Sequence, residues 1–219
     1  MMKEILIATI TVIGLTAAAA AEPPVALVEE LRGKVTGAEF MDYVTPGQVI
    51  KIGPGGAIIL SYLKSCRRET ISGIGTVIVG SDASKVHLSD VRDETIACDA
   101  DHAHATVKET SEAAATIVRG LAAQPAPQVT LYGASPMFAA AGRGTLVLER
   151  LDEPGERQKI DIGGNQIKGR FFDFAKNNRQ LAPGGTYLAR FKETAIVFRI
   201  DPQAKGGATP LLGRLLQMD

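Results

Sequence analysis

The sequence predicts a mainly β protein made of two small β domains joined by a short helix and linker. Three observations predict this. Short β-branched and apolar runs recur along most of the chain, Gly or Pro turn signals cut them off at close intervals, and one Ala-rich stretch near the middle changes to helical spacing. The composition is compatible with packed domains: 45% of the 219 residues are hydrophobic and 22% are charged, close to the averages for globular proteins.

The chain starts with a leader. Met1-Met2-Lys3-Glu4 is a short n-region with one positive side chain, Ile5 to Leu15 is an apolar core, and Ala19 and Ala21 occupy the −3 and −1 positions of an A-x-A cleavage site. The expected cut falls between Ala21 and Glu22, and Pro23-Pro24 stops any helix from continuing. Residues 1–21 therefore read as a signal peptide. The mature chain is expected in the periplasm without stable membrane insertion, because no second stretch is apolar and long enough to span a bilayer.

Residues 25–107 form the first expected domain. Val25 to Glu30 reads as a strand, and Leu31 to Val35 turns toward Phe40 to Val44. Thr45-Pro46-Gly47 is a turn, since Pro presets φ and Gly tolerates the left-handed region. Val49 to Ile52 is a short strand, Gly53-Pro54-Gly55-Gly56 a second turn, and Ala57 to Leu63 a strand apolar enough for burial on both faces. Thr70-Ile71, a turn at Ser72-Gly73, Gly75 to Gly80, Val86 to Val91 and Arg92 to Cys98 complete the unit.

Within it, Arg32-Gly33-Lys34-Val35, Pro46-Gly47-Gln48-Val49-Ile50, Ile52-Gly53-Pro54-Gly55-Gly56 and Ala57-Ile58-Ile59-Leu60 follow one another. This succession, over about residues 28–80, resembles the ferric-citrate-regulator (FecR-like) periplasmic β domain, in which a G-x-V start leads through a G-x-x-I turn to an apolar strand. The resemblance implies a small periplasmic β unit. The chain departs from the family at Ser65-Cys66-Arg67-Arg68-Glu69, inserted after the strand. It also lacks the family's cytoplasmic or transmembrane N-terminal segment, so the namesake's iron signalling is not carried over.

Residues 108–128 read as a helix and a Pro/Ala linker, with Ala113, Ile117 and Leu121 on one helical face and Pro125-Ala126-Pro127 at the end. Residues 129–219 form the second expected domain. Val129 to Tyr132, Thr145 to Arg150, Gln158 to Ile162, Arg170 to Phe174, Thr186 to Phe191 and Ala195 to Ile200 are its strands. Glu153-Pro154-Gly155, Gly163-Gly164-Asn165 (a hairpin signal) and Pro183-Gly184-Gly185 are its turns. So many strands in so short a span point to an immunoglobulin-like or fibronectin-like sandwich. Leu181-Ala182-Pro183-Gly184-Gly185-Thr186-Tyr187 resembles the L-x-P-G-x-x-Y approach of sandwich modules in bacterial surface proteins, where a turn delivers Tyr to the core. Pro210 to Met218 is amphipathic and docks as a helix or a last strand.

Cys66 and Cys98 are the two cysteines. In an oxidising compartment a disulfide is the natural reading, worth about 3 kcal/mol by chain entropy; two buried free thiols are the alternative. Cys98, Asp99, Asp101, His102 and His104 are the densest group of potential metal ligands. Two imidazoles make an incomplete set, so no metal is expected. Arg67, Arg68 and Arg92 stand near carboxylates and read as cross-strand ion pairs, with a small anion patch as the alternative. Ser61, Ser65 and Ser72 have no convincing His partner, and His87 is alone on a strand, so no catalytic residue is assigned. Gly53 to Gly56 precedes a strand and has no Lys-Ser/Thr, which excludes a phosphate loop. Asp152-Glu153 lies in an exposed turn and supplies no raised carboxyl pKa.

Lys plus Arg equals Asp plus Glu at 24 each, there is no Trp, and aromatics are 5%. That balance gives no drive toward nucleic acid or an anionic membrane, and no stacking platform for bases or sugars. The expected role is a non-enzymatic periplasmic binding or scaffolding protein of the bacterial cell envelope, with no cofactor and with an envelope protein or polymer as partner. The alternative is a sensory input protein for a membrane-bound signalling enzyme.

Overall fold

The computed structural model describes residues 22–101, 126–139, 142–153 and 155–218. The expected leader, the helix expected after residue 108, and His102 and His104 lie outside these residues. The protein is mainly β. The N-terminal half runs β1 (Ala26–Arg32), β2 (Val35–Thr36), β3 (Tyr43–Val44), β4 (Val49–Ile52), β5 (Ala57–Tyr62), β6 (Arg67–Ser72), β7 (Gly75–Ile78), β8 (Lys85–His87) and β9 (Asp90–Thr95). The C-terminal half runs β10 (Val129–Gly133), β11 (Met137–Ala139), β12 (Gly144–Arg150), β13 (Arg157–Ile162), β14 (Ile167–Lys168), β15 (Phe171–Asp173), β16 (Thr186–Phe191), β17 (Thr194–Lys205) and β18 (Leu215–Gln217).

Each half pairs a five-stranded with a four-stranded sheet, β3-β1-β5-β6-β9 on β2-β4-β7-β8 and β10-β17-β16-β12-β13 on β14-β15-β11-β18. The side-chain period of two decides which residues fill the space between sheets. In β4, Ile50 and Ile52 point inward and Val49 and Lys51 outward. Ile50, Ile52 and Val77 meet Val28, Ile58, Leu60, Tyr62 and Ile71 from the facing sheet in one apolar cluster. The C-terminal core is built the same way, with Phe138, Phe172 and Leu216 meeting Leu146, Leu148, Phe191, Phe198 and Ile200.

A third cluster joins the halves. Leu27, Met41 and Leu63 pack against Met137, Ala139, Phe171 and Leu211. The alternation accounts for it: Val28 faces the N-terminal core while Leu27 faces the seam, and Phe138 and Phe172 face the C-terminal core while Met137, Ala139 and Phe171 face the seam. The four sheets therefore stack as layers. The strands at the seam are buried on both faces, which is why β11 and β15 are buried at every residue.

Several elements differ from the sequence expectation for identifiable reasons. The run Val86 to Val91 divides into β8 and β9 because Leu88 adopts φ 70° in a turn. Gly163-Gly164-Asn165 is not a hairpin: a 3-10 turn over Gly164–Gln166 carries the chain from β13 in one sheet to β14 in the other. The tail resolves into a 3-10 turn over Leu211–Gly213 and the strand β18, which lies parallel to β11. β17 runs on through Pro202, since the register against β10 slips between Leu131 and Gly133, and Pro202 falls where no ladder N–H is required. Gly33 at the β1–β2 corner has φ 60°, and a Cβ there would lie 2.3 Å from the Gly55 carbonyl oxygen, so only glycine fits.

Candidate functional site

The seam holds the densest set of buried polar contacts among the described residues. β1 carries a bulge between Val28 and Glu30, and the extra residue, Glu29, turns its carboxylate toward the seam. Glu29 is 5% exposed. One of its oxygens accepts a hydrogen bond from Arg68 Nε at 2.9 Å, and the other accepts the backbone N–H of Leu212 at 3.0 Å. Arg68 also donates to Glu94 at 2.6 Å across the β6–β9 pair. Burial works against its charge, yet the bonds to Glu29 and Glu94 outweigh that and raise its pKa.

On the C-terminal side, Arg214 and Asp173 are buried together. Arg214 Nη1 donates to Asp173 at 2.7 Å and to the Ser135 carbonyl at 3.1 Å, while its Nε donates to the Thr209 carbonyl at 3.0 Å. Further links cross the seam at its margins. Gln217 donates to the Tyr43 hydroxyl at 2.7 Å, Asp99 accepts the N–H of Thr130 at 2.9 Å, and the Lys168 ammonium stands 4.6 Å from the Phe40 ring centroid.

Between these groups lies a cleft of about 490 Å³, within the range of ~300–1,000 Å³ typical of small-molecule sites. Phe40, Met137 and Leu211 supply apolar lining, and Lys168, Lys176 and Arg68 supply positive charge. A neighbouring cavity of about 390 Å³ shares Ala175 with it and is lined by Arg179 and Ser135.

The residues singled out by sequence lie elsewhere. Cys66 and Cys98 form a disulfide with Cα atoms 5.8 Å apart, closing the β5–β6 hairpin onto the segment after β9. Cys98 is thereby removed from any metal set and Asp99 is bonded to Thr130. Among the described residues no three His, Cys, Asp or Glu side chains gather as a metal site. Arg67 pairs with Glu69 at 2.9 Å and Asp93 at 3.3 Å, so Arg67 and Arg68 make the cross-strand pairs expected of them. Glu69 is buried and also accepts the N–H of Ser84. His87 is exposed on β8, and the Ser61 hydroxyl is buried without a hydrogen-bond partner among the described residues. Glu22 is exposed, and Ala21 lies outside the described residues.

Sequence reasoning did not single out Glu29, Asp173, Arg214, Lys168 or Lys176. One signal was available: in Val25 to Glu30 the acidic pair closes a strand whose other residues are apolar, where a bulge can turn a carboxylate inward. No helix among the described residues is long and apolar enough to cross a membrane. Compared with protein-family models, curated proteins and solved structures, the chain has no match.

Proposed function

We propose that the chain is a non-enzymatic binding or scaffolding protein of the bacterial cell envelope, acting in the periplasm after removal of its leader. The observation that carries this reading is the seam. Apolar packing and hydrogen bonds that cross the seam, from Leu212 to Glu29 and from Gln217 to Tyr43, fix two sandwich-like units against each other and leave a preformed cleft between them, which suits a module that presents a rigid surface to a partner. The buried carboxylates Glu29, Glu69 and Asp173 are each engaged by an arginine, a structural use of charge. The Cys66–Cys98 disulfide is in keeping with an oxidising compartment.

In this reading the N-terminal half is a FecR-like β domain and the C-terminal half an immunoglobulin-like sandwich. For the second, the supporting features are the sheet β10-β17-β16-β12-β13, the parallel β10–β17 pairing, and the Tyr187 hydroxyl, which accepts the Ala182 N–H at 2.9 Å from five residues upstream. A tyrosine returning to the backbone at this corner is a mark of such sandwiches. Crosslinking in intact cells followed by mass spectrometry tests the function. Repeated recovery of one envelope protein or polymer is the expected result, and its consistent absence counts against the proposal.

A further inference from the structure

We propose that the seam cleft is a binding site for a small organic anion with an apolar portion, of the carboxylate or phosphate-monoester class. The inference rests on the binding role proposed above and names the ligand chemistry for it.

Charge accounting within the cleft is the first argument. Three carboxylates border it, and each is already satisfied: Glu29 by Arg68, Glu30 by Arg32, and Asp173 by Arg214. Two ammonium groups are left over. Lys168 and Lys176 both line the cleft and have no carboxylate partner among the described residues. Lys168 faces an aromatic ring instead, held 4.6 Å from the centroid of Phe40. The lining carries four cations (Arg68, Lys168, Lys176 and Arg214) against three carboxylates, a surplus of one, and the two ammonium groups are the ones with no carboxylate of their own, so the cleft attracts an anion and repels a cation.

The lining is the second argument. Phe40, Met137 and Leu211 present apolar surface in the same space, so a guest with a hydrocarbon or aryl portion gains burial that a bare inorganic ion does not. Phe40 is itself held by an edge-on contact with Phe171 at 6.3 Å, which fixes the apolar wall. The third argument is continuity of charge. The loop after β15 carries Lys176 and Arg179 with no acidic residue between Ala175 and Gln180, and it borders both this cleft and the neighbouring cavity. Both halves contribute to the site, Phe40 from one and Lys168 and Lys176 from the other, so a bound anion bridges the seam.

A matched set of probes tests the inference: 4-phenylbutyrate, 4-phenylbutyl phosphate, 4-phenylbutylamine and 4-phenylbutanol, titrated calorimetrically into the purified, oxidised protein at low ionic strength. The two anions are expected to bind at least tenfold more tightly than the alcohol, with the amine weakest. Whichever anion binds more tightly assigns the headgroup, carboxylate or phosphate. Lys168→Met with Lys176→Met is expected to abolish the preference for anions while leaving the thermal midpoint within a few degrees. Lys159→Met, an exposed change on β13 outside the cleft, is expected to leave it intact. No binding by either anion, equal binding by amine and anions, or an unchanged preference in the double variant would each overturn the proposal. These outcomes are separate from the crosslinking result: a recovered partner without anion selectivity removes the ligand assignment alone, and anion selectivity without a partner removes the scaffolding role alone.

Discussion

Glu29 accepts a hydrogen bond from the backbone N–H of Leu212 at 3.0 Å, joining residues 183 positions apart in the sequence. The contact joins β1 to the tail that forms β18, and Arg68 neutralises the carboxylate from the other side. Arg68 keeps its bond to Glu94 when Glu29 is lost, so the cost is that of the charged hydrogen bond, roughly 1.5–3 kcal/mol. Glu29→Ala also leaves the Leu212 N–H without its acceptor. Glu29→Ala is therefore expected to lower the unfolding free energy by about 3 kcal/mol, with Glu29→Gln costing less because an amide oxygen can still accept from Leu212. Urea titration measures the loss. Hydrogen exchange of Leu212 to Gln217 should speed up more than exchange in β12 or β16; uniform acceleration would show that Glu29 does not hold the tail.

The disulfide acts on the same architecture from close by, since Ala97, next to Cys98, lies against Gly213, next to Leu212. Cys66 and Cys98 are 32 residues apart in sequence, and closing a loop of that size stabilises by roughly 3–4 kcal/mol through the unfolded chain. The bridge also holds the segment whose next residue, Asp99, caps the Thr130 N–H at the entrance to the C-terminal half. Replacing both cysteines with Ser is expected to lower the unfolding free energy measured by urea titration by that amount and to increase exchange at Thr130. A thiol titration of the denatured, unreduced protein should find no free thiol; two would refute the bridge.

Where alternation and turn chemistry agreed, the strands were legible. The bounds of β4 and β16 are those the sequence suggests, since each is a short apolar-rich run ended by a Gly-containing turn or a polar step. β11 was not legible: Met137, Phe138 and Ala139 follow Pro136 and show no alternation, because one face meets the C-terminal core and the other meets the N-terminal half. The site was hidden for the same reason. Nothing local in the sequence marks Asp173, Arg214 or Lys168: Asp173 and Arg214 stand 41 residues apart and meet where β15 and the approach to β18 flank β11, and Lys168 borders the cleft only once the two halves are docked. Cys66 and Cys98 were legible as a pair because an expected oxidising compartment and a count of two cysteines, rather than tertiary contact, decide that reading.

Acid should weaken one corner of the C-terminal half in a defined direction. The Asp152 carboxyl is held below its ordinary value of 3.8, first by its hydrogen bonds from Arg150 and then by the N–H of Thr186 at 2.8 Å, against the opposing effect of partial burial. A carboxyl with a depressed folded-state pKa contributes stability that is complete above its unfolded value and is lost as pH falls through the folded one. Because the pair is partly solvated, the contribution is modest, ~1 kcal/mol or less. Asp152→Asn is expected to destabilise at pH 7, and the difference from the parent should close as pH drops below about 3.8. A gap that stays constant between pH 7 and pH 3 would assign the effect to packing instead of charge.

The Arg214–Asp173 pair offers a sharper test of how the seam uses buried charge. Arg214→Met leaves the Asp173 carboxylate buried with the Ala175 N–H as its remaining side-chain contact at 3.0 Å, a change expected to cost about 3–5 kcal/mol. Asp173→Leu strands the guanidinium, although the Ser135 and Thr209 carbonyls still accept from it, so its cost should be smaller. The double variant carries no buried charge, and apolar replacement of a buried pair is often neutral. Here it should not be fully neutral, because the Ser135 and Thr209 carbonyls lose a donor and Ala175 loses an acceptor. The double variant is therefore expected about 1–2 kcal/mol below the parent and above Arg214→Met, giving a coupling energy of several kcal/mol in a urea-denaturation cycle. Additive single costs would mean that Arg214 stabilises through the two carbonyls alone and that Asp173 is a passive neighbour.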